Sequence, residues 1–129
     1  VIDHVGIAVR DADVSRRFYE AALKPLGLAL IHTLRPDQTE AGGTVHGFGA
    51  DDKGWFWIGD NERVGQGTHI AFRVATRDLV DAFHVAAVAA GGRDNGAPGP
   101  RPHYHPDYYA AFVLDPDGIN VEAVCYAPE

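Results

Sequence analysis

Two histidines, one glutamate and a short polar-aromatic segment hold most of the groups in this chain that could do chemistry. His4 lies in Asp3-His4-Val5-Gly6-Ile7, and His69 lies in Thr68-His69-Ile70-Ala71-Phe72, 65 residues further on. Glu122 sits in Val121-Glu122-Ala123-Val124, an apolar run where an unpaired charge would be costly. The segment Arg101-Pro102-His103-Tyr104-His105-Pro106-Asp107-Tyr108-Tyr109 gathers two histidines, three tyrosines and an arginine, held by prolines. From it, His103 and His105 are candidate acid/base groups, and Arg101 is a candidate contact for a carboxylate or phosphate. Trp55 and Trp57, two residues apart, would share one face of a strand; they either fill core or make one side of a cavity aromatic.

The elements that position these residues follow from an internal repeat. A shift of 65 residues lays His4 on His69, Val5-Gly6-Ile7 on Ile70-Ala71-Phe72, Phe18 on Phe83, Leu26-Gly27 on Gly91-Gly92 and Trp57 on Glu122. Each half reads as strand, helix and three strands. From Ile2 to Val9, Val5, Ile7 and Val9 alternate with His4, Gly6 and Ala8, the period of a half-buried strand. A helix follows, with Asp13 as N-cap and Val14, Phe18, Ala21 and Ala22 as its apolar stripe, until Pro25 and Gly27 end it. Strands suit residues 28–34, 44–49 and 55–59. The second half opens with a strand over 68–75, and its helix spans about 78–90 with Leu79, Phe83, Ala86, Ala87 and Ala90 buried. The Pro- and Gly-rich stretch 93–107 has room for a short strand. Strands at 109–114 and 120–126 are then turned by Asp115-Pro116-Asp117-Gly118, a strong hairpin signal.

This pattern implies an α+β fold of two βαβββ modules, about 1–60 and 68–127, in one domain over 1–129. The modules should form a strongly curved mixed sheet, a half-barrel with helices on its outer face. His4 and His69 share their strand faces with Gly6, Ala8 and Ala71, so both histidines should point into the space the small residues leave open.

Composition narrows the function. Net charge is -7 and the 11 Lys and Arg residues form no stripe, so nucleic acid is not an expected partner. No run approaches the roughly 20 apolar residues of a membrane span. The chain runs straight into Asp3 and His4 without the order of a secretion signal, so a cytoplasmic protein is expected. Cys125, the single cysteine, reads as a small apolar filler. Ser15, the single serine, falls within the first helix, which excludes a serine triad, and no Gly-rich phosphate loop follows a strand. His32, His46 and His84 read as structural.

Ile2-Asp3-His4-Val5, the helix ending in Phe18-Tyr19, Thr68-His69-Ile70-Ala71-Phe72, and Phe112-Val113-Leu114-Asp115-Pro116-Asp117-Gly118 leading to Val121-Glu122 occur here in that order. In this the chain resembles, over nearly its whole length, the glyoxalase / bleomycin-resistance / extradiol dioxygenase superfamily, the vicinal oxygen chelate fold. The resemblance implies one metal ligand from the first and one from the last strand of each module. Carried over by position, these are His4, His69 and Glu122; the fourth place falls on Trp57, which has no lone pair to offer and stands where glyoxalase I has a carboxylate. Two imidazoles and one carboxylate suit Fe, Mn, Ni, Co or Zn, with open positions for a substrate's two adjacent oxygens.

The implied function is that of a metal-dependent lyase, isomerase or dioxygenase on a small substrate, with Glu122 as ligand and base. Trp57 weighs against lactoylglutathione lyase activity. The resemblance also implies a homodimer whose sites combine module one of one chain with module two of the other. A metal-free binder of the bleomycin-resistance kind is the alternative, with Trp55, Trp57, Tyr108 and Tyr109 as aromatic contacts and the negative charge favouring cationic ligands. A third possibility is an interaction module without a ligand.

Overall fold

Both halves of the chain fold along the repeat. The computed structural model describes residues 2–40 and 42–128. Module one comprises β1 (Val5–Ala8), α1 (Ala12–Leu23), β2 (Ala29–Leu34), β3 (Val45–Ala50) and β4 (Lys53–Gly59). Module two comprises β5 (His69–Arg73), α2 (Arg77–Ala89), β6 (Arg93–Pro100), β7 (Tyr109–Leu114) and β8 (Asn120–Cys125). Each module makes its own four-stranded mixed sheet, in the orders β1-β4-β3-β2 and β5-β8-β7-β6. The first and last strands of a module pair in parallel and the others antiparallel. The repeat extends to register: Gly6, Trp57 and Gly47 lie abreast in one sheet, and Ala71, Glu122 and Phe112 lie abreast in the other. The curved sheet thus consists of two ladders, with β1 and β5 at their edges.

Local corrections have local causes. Asp11, not Asp13, caps α1: its carboxylate accepts the N–H groups of Asp13 and Val14 at 3.0 and 3.1 Å, and its own backbone is extended. A cap must stand outside the helix to aim back at the first free N–H groups. Asp13, already inside, turns its carboxylate to His46 and Arg35 instead. α2 begins one residue earlier than expected, capped by the Thr76 hydroxyl, and its buried residues are Val80, Phe83 and Ala87, an i, i+3, i+7 row that leaves Leu79, Ala86 and Ala90 only half-buried. The stretch expected to hold a short strand forms the eight-residue β6. It is the sheet's edge, where Pro98 and Pro100 need no ladder N–H on the outer side, and Gly96 at φ 152° lies within a register shift.

One hydrophobic core joins the modules. Phe18, Tyr19, Phe48, Phe56, Phe72 and Phe83 are all buried, and the Phe56 and Phe72 rings, one from each module, meet edge to face at 5.2 Å. The β7–β8 turn is tied to the other module: the Tyr19 hydroxyl on α1 donates to Asp115 at 2.7 Å, and Asp115 also accepts the N–H groups of Asp117 and Ile119. Burial raises the Asp115 carboxyl above its usual range despite these donors, and burial followed by the Asp115 charge pushes the Tyr19 phenol well up. Among the described residues no helix is long and apolar enough to cross a membrane.

Candidate functional site

Parallel pairing of β5 with β8 sets His69 opposite Asn120 and Ala71 opposite Glu122. The backbone carbonyl of Asn120 lies 3.0 Å from His69 Nδ1. A carbonyl only accepts, so Nδ1 carries a proton and Nε2 is the nitrogen turned to Glu122, 2.8 Å from its Oε2. Glu122 is 2% exposed. Its second oxygen, Oε1, accepts a short hydrogen bond from the Tyr108 hydroxyl. Burial, and then this bond to a carboxylate, push the Tyr108 phenol well above its usual range, so Tyr108 remains a donor. Phe112 lies beside His69, ring centroids 6.2 Å apart. A cavity of about 410 Å³ opens over this group, lined by His69, Tyr104, Tyr108, Phe112, Asn120 and Glu122.

The site offers two ligand-type atoms converging on one point. His69 Nε2 and Glu122 Oε2 hydrogen-bond directly at 2.8 Å, and their nitrogen and oxygen are donor types that a divalent ion accepts. The Asn120 carbonyl meanwhile fixes the ring's tautomer and orientation, as an outer-shell partner of a ligating histidine does. In chemical type the two donors suit a divalent ion. They are short of a full ligand set within one chain: among the described residues no group of three or more His, Cys, Asp or Glu could hold a metal.

His4 is the residue that stands apart. It occupies the module-one side of a second cavity, about 480 Å³, that runs between the β1 and β5 edges and is lined also by Trp55, His69 and Ile70. Its Nδ1 lies 2.8 Å from Asp3, which also receives the Lys53 ammonium at 2.8 Å, and its side chain is 62% exposed. His4, just before β1, and His69, the first residue of β5, belong to different modules, and both line this second cavity. Trp57 holds the module-one place that corresponds to Glu122, its ring parallel to His32 within 1° at 5.7 Å between centroids. Gly47 lies beneath it, where a Cβ would come to 2.7 Å from the ring and displace it. Trp55 packs toward Phe72 at the junction of the modules.

The 101–109 segment divides its residues. Tyr108 and Tyr104 face the cavity. Tyr109 faces the opposite side, donating to Asp81 of α2 at 2.7 Å, because neighbouring strand residues point to opposite faces. The Arg101 guanidinium donates to the carbonyls of Ala97 and Gly99, each at 2.8 Å, and lies over Phe112, so it braces the segment rather than facing an anion. His105 packs against Tyr126 and accepts the Asp107 N–H, while His103 packs on Tyr104 at 4.2 Å. Tyr104, Phe112 and Asn120 join the site without having been singled out. Alternation through β7 and β8 placed Phe112 and Asn120 on the Glu122 face; Tyr104 had no such signal. His46 is buried between Thr33 and Asp13, and His84 pairs with Asp94.

Paired βαβββ modules with a ligand-type pair on the first and last strands of one module define a class of small α+β proteins. Within it, this chain belongs to the Glyoxalase/Bleomycin resistance protein/Dioxygenase superfamily, which matches residues 1–123. It is similar to a glyoxalase/bleomycin resistance protein from Albidiferax ferrireducens T118, at 29% identity and TM-score 0.74, covering 95% of each chain. A V278E glyoxalase I mutant from Zea mays is 26% identical with TM-score 0.70, over 95% of this chain and 45% of that one. A glyoxalase/bleomycin resistance protein/dioxygenase family enzyme from Burkholderia phytofirmans PsJN shares the fold, with TM-score 0.70 at 21% identity over 98% of each chain. No curated protein matches the chain.

Proposed function

We propose that this protein is a metal-dependent enzyme, a lyase, isomerase or dioxygenase, whose small substrate presents two adjacent oxygens at the His69–Glu122 cavity. The observation that carries this reading is the convergence of His69 Nε2 and Glu122 Oε2 at 2.8 Å, with the other His69 nitrogen anchored on the Asn120 carbonyl. His69 and Glu122 would hold the ion, which supplies Lewis-acid polarisation of the bound oxygens. Around it, Tyr108 orients the Glu122 carboxylate through its hydroxyl and lines the cavity with its ring. Phe112 and Tyr104 line its sides. Trp57 leaves module one without a second carboxylate, so a proton shuttle between two carboxylates is not part of this reading.

His4 supplies the third ligand in this proposal from a second copy of the chain, as expected for a homodimer that combines unlike modules. The test is metal binding by Fe(II), Mn(II), Ni(II) and Zn(II) after chelation, together with mass in solution. About one tight ion per site is expected in the wild type, reduced in His69→Ala, Glu122→Gln and His4→Ala, with a dimer as the species that binds. A wild type that takes up no ion would sink the metal reading. The metal-free binder would then stand, and one feature favours it: His69 and Tyr108 already give both Glu122 oxygens a partner without an ion.

A further inference from the structure

We infer that Tyr104 is a specificity-determining residue, its ring forming the outer wall of the His69–Glu122 cavity and selecting ligands with a planar ring beside their oxygen pair. The inference rests on reading that cavity as the ligand site. Tyr104 is 62% exposed, and a solitary exposed aromatic would need no explanation. Tyr104 is not solitary: it lines the cavity, with the Tyr108 ring edge-on at 5.2 Å and the His103 ring at 4.2 Å.

The segment that carries it is pinned. Arg101 N–H donates to the Tyr108 carbonyl at 2.7 Å, Tyr104 N–H to Arg101 at 3.0 Å, and Tyr108 N–H to His105 at 3.0 Å. The Arg101 guanidinium closes onto Ala97 and Gly99, and Pro102 and Pro106 restrict the backbone further. The backbone that carries the ring is thus set before a ligand arrives, and the His103 and Tyr108 rings flank the side chain, which lowers the ordering cost of binding.

The shape and chemistry of the cavity set the ligand class. His69, Tyr104, Tyr108 and Phe112 supply rings, while Asn120 and Glu122 supply the remaining polar lining. Rings attract other rings in offset or edge-to-face contact by more than their buried area alone provides. At about 410 Å³ the cavity takes one ring with a short polar substituent. The matching ligand is an aromatic small molecule whose adjacent oxygens reach the His69–Glu122 end.

Mandelate and lactate test this, because both carry the same hydroxyl–carboxylate pair and charge and differ in phenyl against methyl. Their affinities for the full chain are measured by calorimetry, with and without added Mn(II), for wild type, Tyr104→Ala and Tyr104→Phe. The wild type should prefer mandelate. Tyr104→Ala should weaken mandelate about three- to tenfold and leave lactate unchanged, and Tyr104→Phe should keep the wild-type preference. A mandelate preference untouched in Tyr104→Ala, or none in the wild type, would overturn the inference. If Mn(II) binds but the ring confers nothing, this inference falls and the metal reading stands; if the ring preference holds although no Mn(II) binds, the reverse follows. Binding of none of the three overturns both.

Discussion

Tyr108→Phe removes one oxygen from the protein and isolates the bond most exposed to refutation. The variant keeps the ring and its contacts to Tyr104 and Tyr126, both at 5.2 Å, and deletes only the hydroxyl that donates to Glu122. Glu122 is 2% exposed, so water cannot readily replace the lost donor. A hydrogen bond to a charged group contributes about 1.5–3 kcal/mol, and leaving a buried charged oxygen unpaired costs as much or more. At about 4 °C per kcal/mol for a chain of this length, Tm should fall by roughly 6–12 °C. The assay is urea and thermal unfolding in chelator, repeated in a Glu122→Gln background. There the same substitution should cost less than about 1 kcal/mol, the difference being the coupling between the two side chains. A Tyr108→Phe protein within about 0.5 kcal/mol of wild type, or an equal loss in both backgrounds, would refute the account of how Glu122 is held. If Glu122 is also a ligand, metal affinity should fall about 10- to 100-fold, since Tyr108 orients the carboxylate.

Gly47→Ala places a Cβ within 2.7 Å of the Trp57 ring, which must then leave its place beside His32. The expected cost is about 1–3 kcal/mol in denaturant melts, partly relieved in a Gly47→Ala, Trp57→Ala double variant; simple additivity would count against the contact. Asp11→Ala should lose about 1 kcal/mol with the α1 cap, and stability unchanged in the same melts would assign the cap elsewhere. The hydrogen bond to His46, then that from Arg35, hold the Asp13 carboxyl below its usual range. A carboxyl lowered in the folded state stabilises above its unfolded value of about 3.9 and loses that contribution as pH falls through the folded value. Asp13→Asn should therefore destabilise at neutral pH and much less near pH 2 (about the acid limit of this window); urea midpoints with equal losses at both would contradict the pairing.

How much was legible in the sequence depended on distance along the chain. Alternation on Val5, Ile7 and Val9 and on Ile70, Phe72 and Val74, the Asp115-Pro116-Asp117-Gly118 turn and the 65-residue repeat were enough for the element order and for the helix-packed faces. The cap falls on Asp11 rather than Asp13, two chemically alike residues, because only Asp11 lies outside the first turn. The full length of β6 is not legible in its sequence, because its Pro and Gly content argues against a strand until β7 is present to pair with it. Tyr108 and Tyr109 had to face opposite ways, but only the ladder to β8 and the packing of α2 decided that Tyr108 meets Glu122 and Tyr109 meets Asp81.

By itself, then, the sequence determined the periodicities: two modules, their strands and helices, and the matched positions of His4, His69, Trp57 and Glu122. The tertiary structure alone decided which of these side chains meet. His69 reaches Glu122 because β5 pairs with β8, whereas His4 precedes β1 in the other sheet and pairs with Asp3 at a cavity that His69 also lines. Tyr104 reaches the same cavity through a braced turn with no period to announce it. Side-chain direction is a local property of the backbone, whereas contact between distant strands depends on ladders and loop closures that no local pattern encodes.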